Sequence, residues 1–370
     1  SAFKSLVTKS KAKMDKWVSS SSSSSSAPLE GCNDGTRVAL DESTEDADVE
    51  IPVINISGLV SPDATKESKA AVAAEIVKAC EDIGFFVIVG HGVPQATVEN
   101  MWSNTSAFFD LPVQYKDEWA VAEQGTYPFG YSGIGGEVLS AGKDAETKGD
   151  SKSLPDLKEL FSLGPANPAA GFPPRQWPDQ PPHFEESWAL YYDTLAELAS
   201  KIMRGFAIGL GKHENFFSQF VTHHASAVRA LNYPSYDGYQ PPEGQLRASA
   251  HTDYGTITIL KSGGPGLQVS KDSTPPHWVD VPFVEDAFIV NLGDLMRRWT
   301  NDRWLSTLHR VVNPKSTEDW MRRQSIAFFH NPNRDANVNP ILGPGEVPKH
   351  DPIIAGDFLM QKHLAATGSA

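Results

Sequence analysis

Cysteine is nearly absent from this chain: there are two in 370 residues, Cys32 and Cys80. That excludes a disulfide framework and points to a reducing compartment. Long apolar runs are missing as well. No stretch of eighteen or more apolar residues occurs, so a membrane-spanning helix is not expected. Positive charge is in deficit, with 32 Lys and Arg against 46 Asp and Glu and a net charge of -14. Such a surface repels nucleic acid and anionic membranes. The expected partner is a small molecule, reached by a monomer. An anionic ligand needs a locally basic pocket, so any Arg that falls within a core strand is of interest.

Apolar residues are plentiful, at 40% of the chain with nine Trp, enough for a sizeable core. They begin late. Residues 1–48 read as a disordered or targeting tail, with basic and apolar residues over the first eighteen, a serine tract at Ser19 to Ser26, and an acidic stretch to Asp48. Localisation is expected to be cytoplasmic, or organellar if the basic, Ser-rich segment is a leader.

Residues 49–165 read as a mixed helical and strand region. A strand is expected over 51–57, a helix over 66–83 ended by Gly84, a buried strand over 85–89 and a second helix over 94–109. Residues 125–164 read as a loop-rich stretch that contributes to the site. Residues 166–226 hold a Pro-rich linker and the longest helical pattern, 184–211. From 227 to 370 short apolar runs alternate with Gly, Pro, Asn and Asp at roughly ten-residue spacing, the rhythm of an antiparallel sandwich or barrel.

The chemistry concentrates in that last region. In His251-Thr252-Asp253 the two potential ligands are one residue apart. On a strand they point the same way. His309, in Ser306 to Val312, is the best third ligand. Two imidazoles and a carboxylate on one face of an octahedron leave positions open for a chelating cosubstrate and O2, a set that suits Fe(II). Fourteen residues after His309 come Arg323 and Ser325, at i and i+2. Arg supplies a bidentate fork and Ser a hydroxyl, a pair suited to a carboxylate.

These segments, in order, resemble the Fe(II)/2-oxoglutarate-dependent oxygenases similar to isopenicillin N synthase. The resemblance runs from Ile51 to Ser57 (with Asn55 where the family usually has Asp), through Gly84 to Pro94, Phe108 to Pro112 and Asp156 to Phe161. It continues through Ala250 to Leu260, Pro265 to Val269, Val290 to Asp294, Ser306 to Val312 and Arg323 to Ser325. It implies a mainly β fold with flanking helices, a double-stranded β-helix or jelly-roll core over 227–370. It implies Fe(II) on His251, Asp253 and His309, and 2-oxoglutarate on Arg323 and Ser325 assisted by Tyr233. Ascorbate is the expected reductant in vitro. The reaction implied is oxidation of an unactivated C–H bond with release of succinate and CO2: hydroxylation, desaturation or ring closure. The presence of Asp253 argues against halogenation. By analogy, Tyr127, Phe129, Tyr131, Arg297, Phe329 and the segment Leu359 to His363 are substrate-contact candidates. An amino-acid-derived substrate, as in kainoid-type cyclisation, is one expectation. The competing readings are an iron oxidase that does not use 2-oxoglutarate, a ligand-binding protein that kept the fold, and a zinc hydrolase.

Overall fold

The computed structural model describes residues 50–120, 129–137, 139, 154–235, 241–271, 275–314 and 321–367. Residues 49–370 form one compact unit. The first half runs β1 (Val53–Asn55), α1 (Ser57–Val60), α2 (Lys66–Asp82), β2 (Phe85–Val89), α3 (Gln95–Phe109), α4 (Val113–Asp117), β3 (Gly130–Ser132), β4 (Glu159–Leu163) and α5 (Phe184–Gly209). The second half runs β5 (Ala227–Tyr233), β6 (Ala248–His251), β7 (Ile257–Ser262), β8 (Leu267–Ser270), β9 (Val279–Asp280), β10 (Phe288–Leu292), α6 (Asp294–Trp299), β11 (Leu308–Val311), β12 (Arg323–His330), β13 (Asn337–Val338), β14 (Ile353–Ile354) and α7 (Ala355–Thr367).

Two sheets face each other in a jelly-roll arrangement. The larger has the order β1-β2-β10-β7-β12-β5-β4-β3, and the smaller β6-β11-β8-β9. Strands from before residue 165 and after residue 227 therefore share one sheet. Period-two alternation decides what each face of the large sheet does. On β12, Ile326 and Phe328 turn to a core shared with α2, α3 and α5, where Ile76, Met101, Trp188 and Phe206 are buried. Arg323, Ser325, Ala327 and Phe329 turn the other way and line a cavity of about 550 Å³. On β5, Arg229, Leu231 and Tyr233 line the same cavity, while Val228 and Ala230 join the core.

Local chemistry sets the element ends. Thr65 caps α2 by accepting from the Ser68 amide at 3.2 Å. Gly84 ends it with φ +70°, and its amide donates to Ala79 O at 2.8 Å, a conformation that glycine adopts without cost. The first strand is shorter than expected. The side chain of Asn55 accepts from the Ser57 amide at 3.0 Å, a local turn that stops β1 and starts α1. The stretch 125–164, expected to be a loop, contributes β3 and β4. Every residue of β4 is buried, so it lacks the alternation by which a half-exposed strand is read.

Candidate active site

The two histidines lie on neighbouring strands of the small sheet, where His251 and His309 are direct partners in the antiparallel pairing of β6 and β11. Their ring centroids are 4.3 Å apart. Each ring uses Nδ1 on a backbone carbonyl two residues earlier: His251 on Ser249 O at 2.7 Å and His309 on Thr307 O at 3.0 Å. With Nδ1–H donated there, Nε2 carries the free lone pair in each ring.

Asp253 is not on the strand. β6 ends at His251, and Asp253 follows in a loop. The N-terminal amides of α6 grip that loop: Asp294 N donates to Asp253 O at 2.8 Å and Leu295 N to Tyr254 O at 3.1 Å. These are amides that a helix start leaves without internal partners. Gly293 allows the approach, since a Cβ there would collide with the Gly255 carbonyl. Asp253 Oδ2 accepts from Thr258 Oγ1 at 2.5 Å and Asn291 Nδ2 at 2.7 Å. Oδ1 stays unclaimed, 3.9 Å from His251 Nε2 and 3.7 Å from His309 Nε2.

The electrostatics keep these donors ready. Burial pushes His251 down to about 4, helped by His309 and Lys158 and opposed by Asp253. Burial would raise the Asp253 carboxyl, but both histidines and the Asn291 and Thr258 hydrogen bonds outweigh it and hold the group below its usual range. The result is a neutral His251 imidazole beside the Asp253 carboxylate. Three donor atoms of these residues lie within 4.8 Å of one another, and among the described residues no other such cluster occurs. The donor set suits a facially bound divalent iron.

Arg323 supplies the second test of fit. It is buried, and opposes Tyr233 in the β12–β5 pairing. Its Nη2 donates to Ser262 Oγ at 2.8 Å and its Nε to Pro265 O at 3.2 Å. Nη1 is buried with no partner. No carboxylate among the described residues pairs with this guanidinium. A buried cation without an anion is costly, and here it borders the cavity that holds the three donors. The position suits a ligand carboxylate.

The substrate-contact candidates separate. Phe129 and Phe329 line the cavity, and α7 brings Leu359 and His363 to it. Tyr131 does not line it. Its hydroxyl donates to Glu159 Oε2 at 2.6 Å inside a buried cluster with Lys116, which lies 2.7 Å from the same oxygen. The β3–β4 pairing turns Tyr131 into the helix-side core, so the substrate role expected for it is withdrawn. Arg297 is also removed from the site. It is exposed and pairs with Asp302 at 3.1 Å, because its place on α6 faces outward. Tyr127 lies outside the described residues.

Residues given no role from the sequence complete the wall. Arg229, Glu137, Lys158 and Tyr254 line the cavity. Glu137 bridges the two cations, with Oε1 2.9 Å from Arg229 Nη1 and Oε2 2.9 Å from Lys158 Nζ. Burial would raise the Glu137 carboxyl, yet Lys158 and Arg229 bring it down to about 2. Asn291 lies on β10 and orients Asp253.

Known proteins share this architecture and this order of motifs. The model described as "non-haem dioxygenase in morphine synthesis N-terminal" matches residues 51–180. The "2OG-Fe(II) oxygenase superfamily" model matches residues 225–332. The chain belongs to the 2OG-Fe(II) oxygenases and is a 2-oxoglutarate-dependent Fe(II) dioxygenase. It is 35% identical to the 2-oxoglutarate-dependent dioxygenase caaD of Aspergillus niger, covering 80% of this chain and 90% of that one. It is 31% identical to the validamycin A dioxygenase of Streptomyces hygroscopicus subsp. limoneus, covering 85% and 86%. The crystal structure of a full-length Neurospora crassa protein in complex with alpha-KG and thymine superposes with TM-score 0.75 at 30% identity, covering 88% of this chain and 99% of that one. No helix among the described residues is long and apolar enough to cross a membrane.

Proposed function

We propose that His251 Nε2, His309 Nε2 and Asp253 Oδ1 hold Fe(II), and that Arg323, with Ser325 and Tyr233 beside it, anchors the distal carboxylate of 2-oxoglutarate. Bound there, iron and 2-oxoglutarate supply the oxidant, with O2 consumed, succinate and CO2 released, and a C–H bond of a small molecule oxidised. The protein's own part is orientation and exclusion of water. Asn291 and Thr258 fix the Asp253 carboxylate, the carbonyls of Ser249 and Thr307 fix the imidazoles, and strands of the two sheets wall the chamber. The observation that carries this reading is the buried Arg323 Nη1, unpartnered in the cavity that the three donors share.

The retained carboxylate of Asp253 supports hydroxylation, desaturation or ring closure over halogenation. Kainoid-type ring closure is one member of that set. The buried, unbridged thiol of Cys80 supports a reducing compartment, and a monomer is the assembly expected on gel filtration.

The test is succinate release by the purified chain with Fe(II), 2-oxoglutarate, ascorbate and a metabolite extract. Turnover is expected to need all three of iron, O2 and 2-oxoglutarate, and to vanish in Asp253→Ala. Product without succinate would identify an oxidase that does not use 2-oxoglutarate. Activity retained without O2 would identify a hydrolase. Full biological activity of Asp253→Ala would identify a binding protein.

A further inference from the structure

The cavity wall beyond the Arg323 end carries an ion pair that neither the metal nor the cosubstrate uses. Arg229 opposes Ala327 in the β5–β12 pairing, and Ala327 lies between Ser325 and Phe329 on the lining face. Arg229 Nε donates to Ser162 Oγ at 3.0 Å and Nη1 to Glu137 Oε1 at 2.9 Å. Its Nη2 has no partner among the described residues. Side-chain exposure is 19% for Arg229 and 27% for Glu137, whereas Lys158 and Asp156 behind them are at 1% and 0%. At this end of the chamber Arg229 and Glu137 are the partly exposed charges, side by side, with the Lys158 ammonium almost fully buried against Glu137. Glu137 lines the same cavity as His251, Asp253 and His309.

We propose that Arg229 and Glu137 form the substrate-reading end of the chamber, and that they select a molecule bearing a carboxylate next to an ammonium, the head group of a free amino acid. This rests on the function proposed above. The argument is one of pairing. A substrate with a lone carboxylate would satisfy Arg229 and press a like charge against Glu137. A lone ammonium would do the reverse against Arg229. A molecule with both charges meets each with its opposite, and in a partly desolvated wall such charge-assisted bonds are about twice as strong as neutral ones. The side chain of the substrate then extends along Phe329 and Leu359, the apolar part of the same cavity. The volume of about 550 Å³ is in the range that encloses small ligands.

The experiment uses the full chain loaded anaerobically with Fe(II) and 2-oxoglutarate. The probes are the proteinogenic L-amino acids, each also as its methyl ester and its N-acetyl derivative, together with simple monocarboxylates, uracil and thymine. Binding is read by calorimetry and turnover by succinate. At least one free amino acid is expected to bind tenfold or more tighter than both of its blocked forms. In Arg229→Gln the preference over the ester is expected to collapse to about onefold while the preference over the N-acetyl form persists. In Glu137→Gln the pattern reverses. A purely structural ion pair would weaken all probes alike in both variants, and that outcome overturns the proposal. So does tighter binding of a cyclic amide or a monocarboxylate than of any free amino acid, or no binding of free amino acids at all. If the chain takes up neither Fe(II) nor 2-oxoglutarate, the metal-site reading fails instead, so the two failures are distinguishable.

Discussion

Replacing Arg323 by methionine should move stability and cosubstrate binding in opposite directions. In the ligand-free fold this guanidinium is buried, hydrogen-bonded to Ser262 Oγ and the Pro265 carbonyl, with Nη1 unpartnered. Burial lowers its pKa, a sign that the charge is poorly solvated. Methionine fills similar volume without charge, and Ser262 keeps its bond to Gly264 O at 2.8 Å. The ligand-free variant is therefore expected to be as stable as the parent or more so, by about 1 kcal/mol or more. Cosubstrate binding loses a desolvated charge pair, about 2–5 kcal/mol, or roughly 30-fold to several thousand-fold in affinity. Chemical denaturation with and without 2-oxoglutarate reads both quantities. At a ligand concentration about 100 times Kd the parent gains about 2.7 kcal/mol, and the variant at the same concentration gains about 0.9 kcal/mol at a 30-fold loss and almost nothing at a several-thousand-fold loss. Arg323→Lys falls between, because an ammonium offers charge without the fork. The reasoning is refuted if Arg323→Met binds 2-oxoglutarate within threefold of the parent, or if its ligand-free form loses about 3 kcal/mol.

Three further outcomes follow from the same geometry. Asn291→Ala removes one of two donors on Asp253 Oδ2 and should weaken Fe(II) binding about 10- to 100-fold, measured by metal titration; unchanged affinity would show that Thr258 alone orients the carboxylate. Lys362 ties α7 to Asp294 at 3.0 Å beside the metal loop. Being half exposed, it should cost under about 1 kcal/mol of stability in Lys362→Met, while the loosened helix raises substrate KM several-fold; unchanged KM would show that α7 stays seated without the tie. His330 is pushed down to about 3 by burial and by the charge of His224. The unfolded chain thus binds this proton first as pH falls, and the stabilising contribution is complete above about 6.5 and lost progressively toward 3. Between pH 7 and 5 the loss is about 2 kcal/mol, and His330→Asn should flatten that slope; an equally steep slope in the variant contradicts it.

The grouping of His251, Asp253 and His309 was legible because the order of the three is distinctive. How Asp253 joins the two histidines was not. Period-two reasoning put it on a strand, whereas the amides of α6, forty residues later in the chain, pull it into a loop. Long-range backbone bonds of that kind leave no local pattern. Arg323 and Ser325 were readable because an Arg and a Ser at i and i+2 share one strand face. β4 was not, since a strand buried on both faces has no period to detect. Asn55 marked a departure from the family pattern, and its turn ends β1. Glu137, Lys158 and Arg229 escaped as a group, because each charge taken singly resembles a surface residue and only the fold shows that they meet. Tyr131 misled for the converse reason: its aromatic neighbours Phe108 and Phe161 belong to the core on the far side of the sheet.

The pairing of β5 with β12 has a consequence for how such an enzyme diversifies. Tyr233 stands opposite Arg323 at one end of the ribbon and Arg229 opposite Ala327 further along. Four residues of strand separate the two positions, roughly 13 Å at the usual rise. Substitutions that far apart with no shared partner behave nearly independently. With the substrate read at positions 229 and 329 as proposed, mutation there retunes which molecule is held while the Arg323 end keeps its geometry. A single rigid ribbon thus offers selection two separable handles, one held constant by shared chemistry and one open to change with each new substrate.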